Sequence, residues 1–353
     1  MKWIAIFIFM LPLTVLAQSV NIKVDTLDNS LFKHDSYWRG ADGAASVPLN
    51  SGKVLWLFSD TFIDKKGKGK RSASPKMIRN SIAIQDSNTL ESKMTFYYNG
   101  KGKNADDFFQ LPGDNWFWTG HGIMIKDKLV VFLMEETATH TGIGFEAIGW
   151  YLAIINNPEE TPDKWIINYY KGPDTFGVII GSSAVLKDDA FVYVFGVKEP
   201  ATHETYLLRI AADNLVNGNL KNLEWWVNSI WTSNITTAPI SSSLFTGQTE
   251  FSVHFDQNIN KFVQVQTYGM GQASIGYRLA DKLYGPWSKP VLFYTPALKN
   301  NSDFVYTANA HPEFLTDGLI VTYNINSGDL NRLIHHEEIY FPKIINIKPG
   351  TIY

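Results

Sequence analysis

One pattern occurs five times along the chain: a short strand of small residues, a tight turn, then a strand rich in Val, Ile, Phe, Tyr and Trp. The copies are GADGAASVPLNSGKVLWLFSDTF from Gly40, TGHGIMIKDKLVVFLMEET from Thr119, GSSAVLKDDAFVYVFGVKE from Gly181, TEFSVHFDQNINKFVQVQTYG from Thr249 and NAHPEFLTDGLIVTYNIN from Asn309. Their turns are Asn50-Ser51-Gly52, Lys126-Asp127, Asp188-Asp189, the stretch Asp256 to Asn260, and Asp317-Gly318. Turn formers between two β-prone runs read as hairpins. A third strand and usually a fourth follow each hairpin, as in Glu146 to Ile155 and then Trp165 to Tyr170. Repeated four-stranded meanders at intervals of about 60 to 80 residues predict an all-β fold, a five-bladed β-propeller of antiparallel blades. A β-sandwich is the competing architecture, but it gives no reason for every unit to restart with a small-residue strand. A crowded channel lining does. Either Glu338 to Ile347 or the strand from Val20 to Val24 is expected to complete the last blade. No helix signal and no linker divides the chain, so residues 18–353 read as one domain.

The first residues are Met1, Lys2 and Trp3, an apolar run from Ile4 to Leu13, then Thr14-Val15-Leu16-Ala17 before Gln18. This is the pattern of a signal peptide over 1–17, which predicts a secreted or periplasmic protein with no membrane span after cleavage. A membrane anchor would need an apolar span of roughly 20 residues. The chain has no cysteine, so its core must supply the stability that disulfides give many exported proteins. Charged residues are 18% of the chain and the formal net charge is -3, which excludes a broad electrostatic attraction to nucleic acid. Aromatic residues are 14%, a composition suited to carbohydrate as the partner of a monomer.

In a propeller the start of each inner strand, the end of the second and the start of the third ring one mouth of the channel. Those positions hold Asp42, Asp60, Arg79 and Asn80 in the first blade, with Arg39 just before. The second blade gives His121, Glu135, Glu136 and Glu146, with Trp116 and Trp118 upstream. Ser182, Glu199 and His203 follow in the third, Glu250, Tyr268 and Gln272 in the fourth, and Asn309, His311 and Asn324 in the fifth. Cleavage of a glycosidic bond needs two carboxyl groups flanking it, one to protonate the leaving oxygen and one to attack or to activate water. Asp42 and Asp60 are the first choice, because small residues around Asp42 allow close backbone approach and Asp60 ends a strongly apolar strand. The bland alternative is that Asp60 serves a turn and Asp42 pairs with Arg79 or Arg39. No metal is expected: His121 and His311 lack the close paired spacing of a zinc motif such as HExxH. A channel calcium ion held by oxygen ligands stays open as an alternative. Sugar rings stack their apolar faces on indoles, and Trp38, Trp116, Trp118 and Trp150 are the candidates.

DGAAS and LWLFSDTF of the first repeat, Arg79-Asn80-Ser81, the GPWS loop from Gly285, and AHPEF with DGLIVTYNIN resemble the five-bladed propeller family of domain of unknown function 4185 and its relative 5005, which includes endo-D-arabinanases. The resemblance implies a glycoside hydrolase fold whose catalytic aspartates lie in the first blade, at Asp42 and Asp60. The layout is also similar to the arabinanase, xylosidase and fructosidase propellers. Those enzymes place a carboxylate at the start of the second and third inner strands, where this chain has His121 and Ser182. A third acid would then come from Glu135, Glu136, Glu146 or Glu250. The expected activity is hydrolysis of a polysaccharide or oligosaccharide, with arabinofuranose-containing glycans as candidates. Asp42, Asp60 and Glu250 would be catalytic, and Arg39, Arg79, Asn80, Trp118, His121, Glu146, Tyr268, Asn309 and His311 would hold the sugar. Three rivals are a glycan-binding propeller with both aspartates ion-paired, a structural protein whose pocket is closed by the loops near Lys101 to Asp114 and Asn214 to Asn222, and a lyase with His121 or His203 beside Tyr268.

Overall fold

The computed structural model describes residues 22–348 apart from 72, 73, 143, 189, 201 and 315. The leader expected over 1–17 lies outside the described residues. Five antiparallel sheets form the five-bladed propeller. Blade one runs from its inner strand Trp38–Pro48 through Val54–Ile63 and Ser81–Gln85 to Met94–Tyr97, and blade two through Trp116–Ile125, Lys128–Ala138, Phe145–Ile155 and Ile167–Lys171. Blade three comprises Val178–Lys187, Phe191–Lys198, Glu204–Ala211 and Glu224–Val227, extended by Ile230–Thr232. Blade four comprises Ser252–Asp256, Lys261–Tyr268, Ser274–Ala280 and Val291–Tyr294. Blade five takes Asp303–His311, Leu319–Ser327 and Lys343–Ile347 from the end of the chain and its outer strand, Val24–Leu27, from the beginning. Both segments expected to complete the last blade are therefore used, with the N-terminal strand a few residues later than expected. Two short helices that the sequence did not signal, Ala212–Leu215 and Leu330–His335, decorate the sheets.

The second strands read as continuous apolar runs because blades cover them on both faces. Val54–Ile63 is buried at every position but Asp60, and β-branched and aromatic side chains suit such a surface. One apolar layer fills each of the five gaps between blades. Trp38, Trp56 and Phe58 meet Ile320 and Phe341 where blade one closes against blade five. Phe132 and Trp150 of blade two meet Ile180 and Tyr206 of blade three. The remaining gaps are filled by Leu57 with Phe117, by Phe195 with Phe251, and by Val265 with Val321.

The small residues of the inner strands have the steric role expected of them. A Cβ on Gly120 would lie 2.3 Å from the Gly181 carbonyl oxygen of the next blade. The pairing of the inner strands is also interrupted between Trp38 and Ala45, Thr119 and Gly122, Ile180 and Val185, and Tyr306 and Asn309. Such bulges re-aim side chains, and here they lie in four blades beside the channel.

Candidate active site

A cavity of about 810 Å³ opens among the five blades. Its lining carries six carboxylates: Asp42 and Asp60 from blade one, Glu136 and Glu146 from blade two, Glu199 at the end of a blade-three strand, and Glu250 just before blade four. Trp118, Phe145, Phe304, Tyr306 and Tyr340 supply aromatic surface. This volume lies within the usual range of small-molecule sites. Neither of the loops expected to close the pocket in a structural protein contributes to the lining.

Asp42 lies in the interrupted part of its inner strand, half-buried. It accepts hydrogen bonds from two phenols of blade five: Tyr306 donates to Oδ1, and Tyr340 donates to Oδ2 at 2.7 Å. Burial raises the proton affinity of Asp42 well above the ordinary range, Asp60 and Glu250 raise it further, and the Tyr340 hydroxyl opposes them. Asp60 accepts from Trp118 Nε1 at 2.9 Å and pairs with Arg79 at 3.3 Å. Burial raises it too, while the Arg79 charge and the Trp118 hydrogen bond pull it back.

Glu250 has no hydrogen-bond or ion-pair partner among the described residues, and burial pushes it up to about 8. Glu136 is 2% exposed. Burial, then the nearby Glu199, Asp60 and Glu146, push it up to about 8 as well. Its register slips relative to Glu135 in the pairing with blade two's third strand. Glu135, on the opposite face of the strand, turns to Asn115 at 3.0 Å and Lys171 at 3.0 Å, outside the cavity lining. Glu199 accepts from Thr249 Oγ1 at 2.6 Å and faces His203 at 3.6 Å. His203, Thr307 and Tyr340 line the cavity with positive φ of 55°, 50° and 73°. Strained backbone of this kind concentrates at functional sites.

Of the residues expected at the mouth, Asp42, Asp60, Trp118, Glu136, Glu146, Glu199, His203 and Glu250 come together in the lining, and Arg79 reaches it through Asp60. The others lie elsewhere. Arg39 is 6% exposed and bound to Glu337 at 2.9 Å. Asn80 bridges the Phe109 and Phe117 carbonyls, each at 3.0 Å. Tyr268 donates to Gln264 at 3.1 Å, away from the cavity, which leaves the His–Tyr lyase arrangement without its tyrosine. Asn309 and His311 are buried at 4% and 1%. Blade five's inner strand starts at Asp303, six residues before the expected start, so Tyr306 and Thr307 take the cavity positions. His311 is held instead by Ser46 at 2.5 Å and Thr322 at 2.7 Å. Likewise blade two's inner strand starts at Trp116, and His121, further along, bonds to the backbone of Gly122.

Sequence reasoning left Tyr306 and Tyr340 out of the site. Tyr340 follows the last helix in an irregular segment, and Arg71 fixes that segment by donating to the Ile339 carbonyl at 2.9 Å and the Arg39 carbonyl at 2.8 Å. The segment had no repeat to mark it. Among the described residues no group of three or more His, Cys, Asp or Glu is arranged to hold a metal ion, and no helix is long and apolar enough to cross a membrane.

The fold and the cavity define a class: five-bladed propellers with a carboxylate-rich pocket at the channel. Within it, residues 25–349 match the model of the family described as Domain of unknown function (DUF5005), and the chain belongs to that family. A candidate hydrolase from Bacteroides ovatus superposes with a TM-score of 0.71 at 16% identity, covering 90% of this chain and 88% of that one. CoXyl43, a β-xylosidase/α-arabinofuranosidase from a compost microbial metagenome solved with xylotriose, gives 0.51 at 11% identity, covering 92% and 94%. The Bombyx mori β-fructofuranosidase BmSUC1, as a mutant with sucrose, gives 0.50 at 11%, covering 92% and 65%. At these identities the likeness is one of fold. No curated protein matches the sequence.

Proposed function

We propose that the protein is a glycoside hydrolase, with Glu250 as proton donor and Asp42 as the carboxylate that attacks the anomeric carbon or activates water. The observation that carries this reading is the contrast in partners among three carboxylates at one cavity. Asp42 accepts from two tyrosine hydroxyls and Asp60 from an arginine and an indole, and donors favour the charged form of a carboxylate. Glu250 has none among the described residues, and burial pushes it up to about 8. Burial raises both Asp42 and Glu250, and only Asp42 has hydroxyl donors that offset it; unequal environments of this kind are what acid and base roles require. Asp60 is neutralised by Arg79, which suits it to tuning its neighbours and to binding rather than attack. The purely binding alternative needs both blade-one aspartates ion-paired, and only Asp60 is among the described residues.

Trp118 and Phe145, with ring centroids 4.7 Å apart and nearly perpendicular, form a wall for the apolar face of a sugar. Arabinofuranose-containing glycans lead the candidate substrates, by family resemblance and by the arabinofuranosidase among the similar folds. The test is incubation of the purified protein with arabinans, arabinogalactans, xylans and other polysaccharides, beside Asp42→Asn, Asp60→Asn and Glu250→Gln. Oligosaccharide release by the wild type that Asp42→Asn and Glu250→Gln lose by a factor of about a thousand supports the assignment. Glycan binding without release by any form would make the protein a binding module. We propose further that the chain is exported; a mature N-terminus at Gln18 in the periplasm or medium is the expected result.

A further inference from the structure

Glu136 presents a problem that the chain itself leaves unsolved. It is 2% exposed, lines the cavity, and has no hydrogen-bond or ion-pair partner among the described residues. Burying a carboxylate without a donor is costly, and elsewhere this fold supplies one. Glu135, its neighbour in sequence, has Asn115 and Lys171. Asp303 has a bidentate Arg332 at 2.7 and 2.8 Å. No lysine or arginine lines the cavity among the described residues, and its one histidine, His203, faces Glu199.

We infer that Glu136 is a specificity-determining residue, binding the hydroxyl groups of an uncharged sugar unit and, with Glu146 and Glu199 beside it, rejecting sugars that carry carboxylate, sulfate or phosphate. The inference rests on the glycosidase reading and adds the substrate class to it. A sugar hydroxyl both donates and accepts, so it satisfies Glu136 in either protonation state. An anionic substituent offers only acceptors and adds a negative charge to a site that has no free cation to receive it. The Trp118 and Phe145 wall gives the same unit an apolar contact on its ring face.

The experiment measures binding, so that it does not depend on turnover. Affinities are determined by titration calorimetry at about pH 9, above the value of about 8 to which burial pushes Glu136, for neutral oligosaccharides and for acidic counterparts of the same length, such as galacto-oligosaccharides against oligogalacturonides and xylo-oligosaccharides against their glucuronate-substituted forms. The wild type is expected to bind the neutral member of any bound pair about ten- to a hundredfold more tightly, the scale of one added charge beside a partly buried carboxylate. Glu136→Gln keeps shape and hydrogen bonding and should narrow that gap severalfold, with its fold checked by thermal unfolding. The wild-type comparison stands if the variant fails to fold. Equal or tighter binding of the acidic members, or an unchanged gap in a folded Glu136→Gln, overturns the inference and leaves the glycosidase reading intact. Selective binding of neutral glycans that no form cleaves overturns the hydrolase reading alone, and no binding of either kind overturns both.

Discussion

Replacing Glu250 by Gln should disable the protein and stabilise it at once, and the size of the stabilisation follows from the site. Burial holds the Glu250 carboxyl up to about 8, against an ordinary value of 4.5. Between those two values the folded protein keeps a proton that the unfolded chain has released, so folding takes up one proton. Stability then falls as pH rises, by up to about 1.4 kcal/mol per pH unit from this group. Over two units, from about pH 5.5 to 7.5, that is about 3 kcal/mol, or about 4 °C in melting temperature for a chain of this size. The amide of Glu250→Gln is neutral at every pH and removes that slope. The assay is thermal or denaturant unfolding of wild type and variant at several pH values, alongside hydrolysis of the substrate found in the panel. The expected result is a variant that matches the wild type near pH 5, exceeds it progressively toward pH 8, and releases no product. A variant with the same pH slope as the wild type would refute Glu250 as the proton holder, and one that hydrolyses normally would refute it as the acid.

Tyr340→Phe removes the hydroxyl that lowers the proton affinity of Asp42; hydrolysis should fall about ten- to a hundredfold and the acidic limb of the pH–rate profile should move upward, both read from steady-state kinetics. Gly40→Ala should destabilise the protein by about 1 to 3 kcal/mol in denaturant unfolding, because Gly40 has φ of 108° and a Cβ there would lie 2.6 Å from the Tyr340 carbonyl oxygen. Deleting residues 22–28 strips blade five of its outer strand and exposes Lys343–Ile347 as an edge; a lower melting temperature and self-association in light scattering are expected. Burial holds His311 down to about 3 and His254 down to about 4, so each binds a proton in the unfolded chain before it does so folded. The contribution of these two histidines to stability should therefore decline as pH falls below about 6, opposing the gain from the carboxylates, and His311→Gln should show a steeper gain toward acid than the wild type in unfolding at several pH values.

The architecture was legible because it depends on repetition. Five copies of a hairpin can drift far in sequence and still show turn residues between a small-residue strand and an apolar one, and the apolar strand is unmistakable where both faces are buried, as in Val54–Ile63. The site was legible only where it sits on that repeat. Asp60 is the one position of Val54–Ile63 that is not buried, and Asp42 is the one charged residue in a run of small ones, Gly40 to Ser46. His311 and Asn309 were misplaced for a definable reason: the repeat copy was read as starting at Asn309, whereas the inner strand starts at Asp303 and the interruption between Tyr306 and Asn309 separates its mouth end from the readable repeat. Arg39 looked like a site residue because its partner Glu337 lies 298 positions away, and nothing local announces such a pair. Tyr340 had no signal at all, since a segment outside the repeat delivers it and Arg71 holds it there.

The two kinds of carboxylate in this cavity make different demands on the fold. Asp42 and Asp60 are provided with donors by blades one, two and five, which offset part of the burial that raises both. Glu136 and Glu250 are provided with none among the described residues, and each lowers stability at neutral pH in proportion to the proton it must hold. A structure under no functional demand would lose nothing by exchanging these two for apolar residues of similar volume, which is often neutral or stabilising at buried charges. The five apolar layers between the blades supply the stability that lets such groups persist. The cost then falls where chemistry can use it: an acid that keeps its proton until a leaving oxygen needs it, and a binding group whose missing partners arrive with the sugar. Glu136→Gln and Glu250→Gln should therefore stabilise the protein at pH 8 while degrading it in different ways, the first in which sugars it admits and the second in whether it cleaves them.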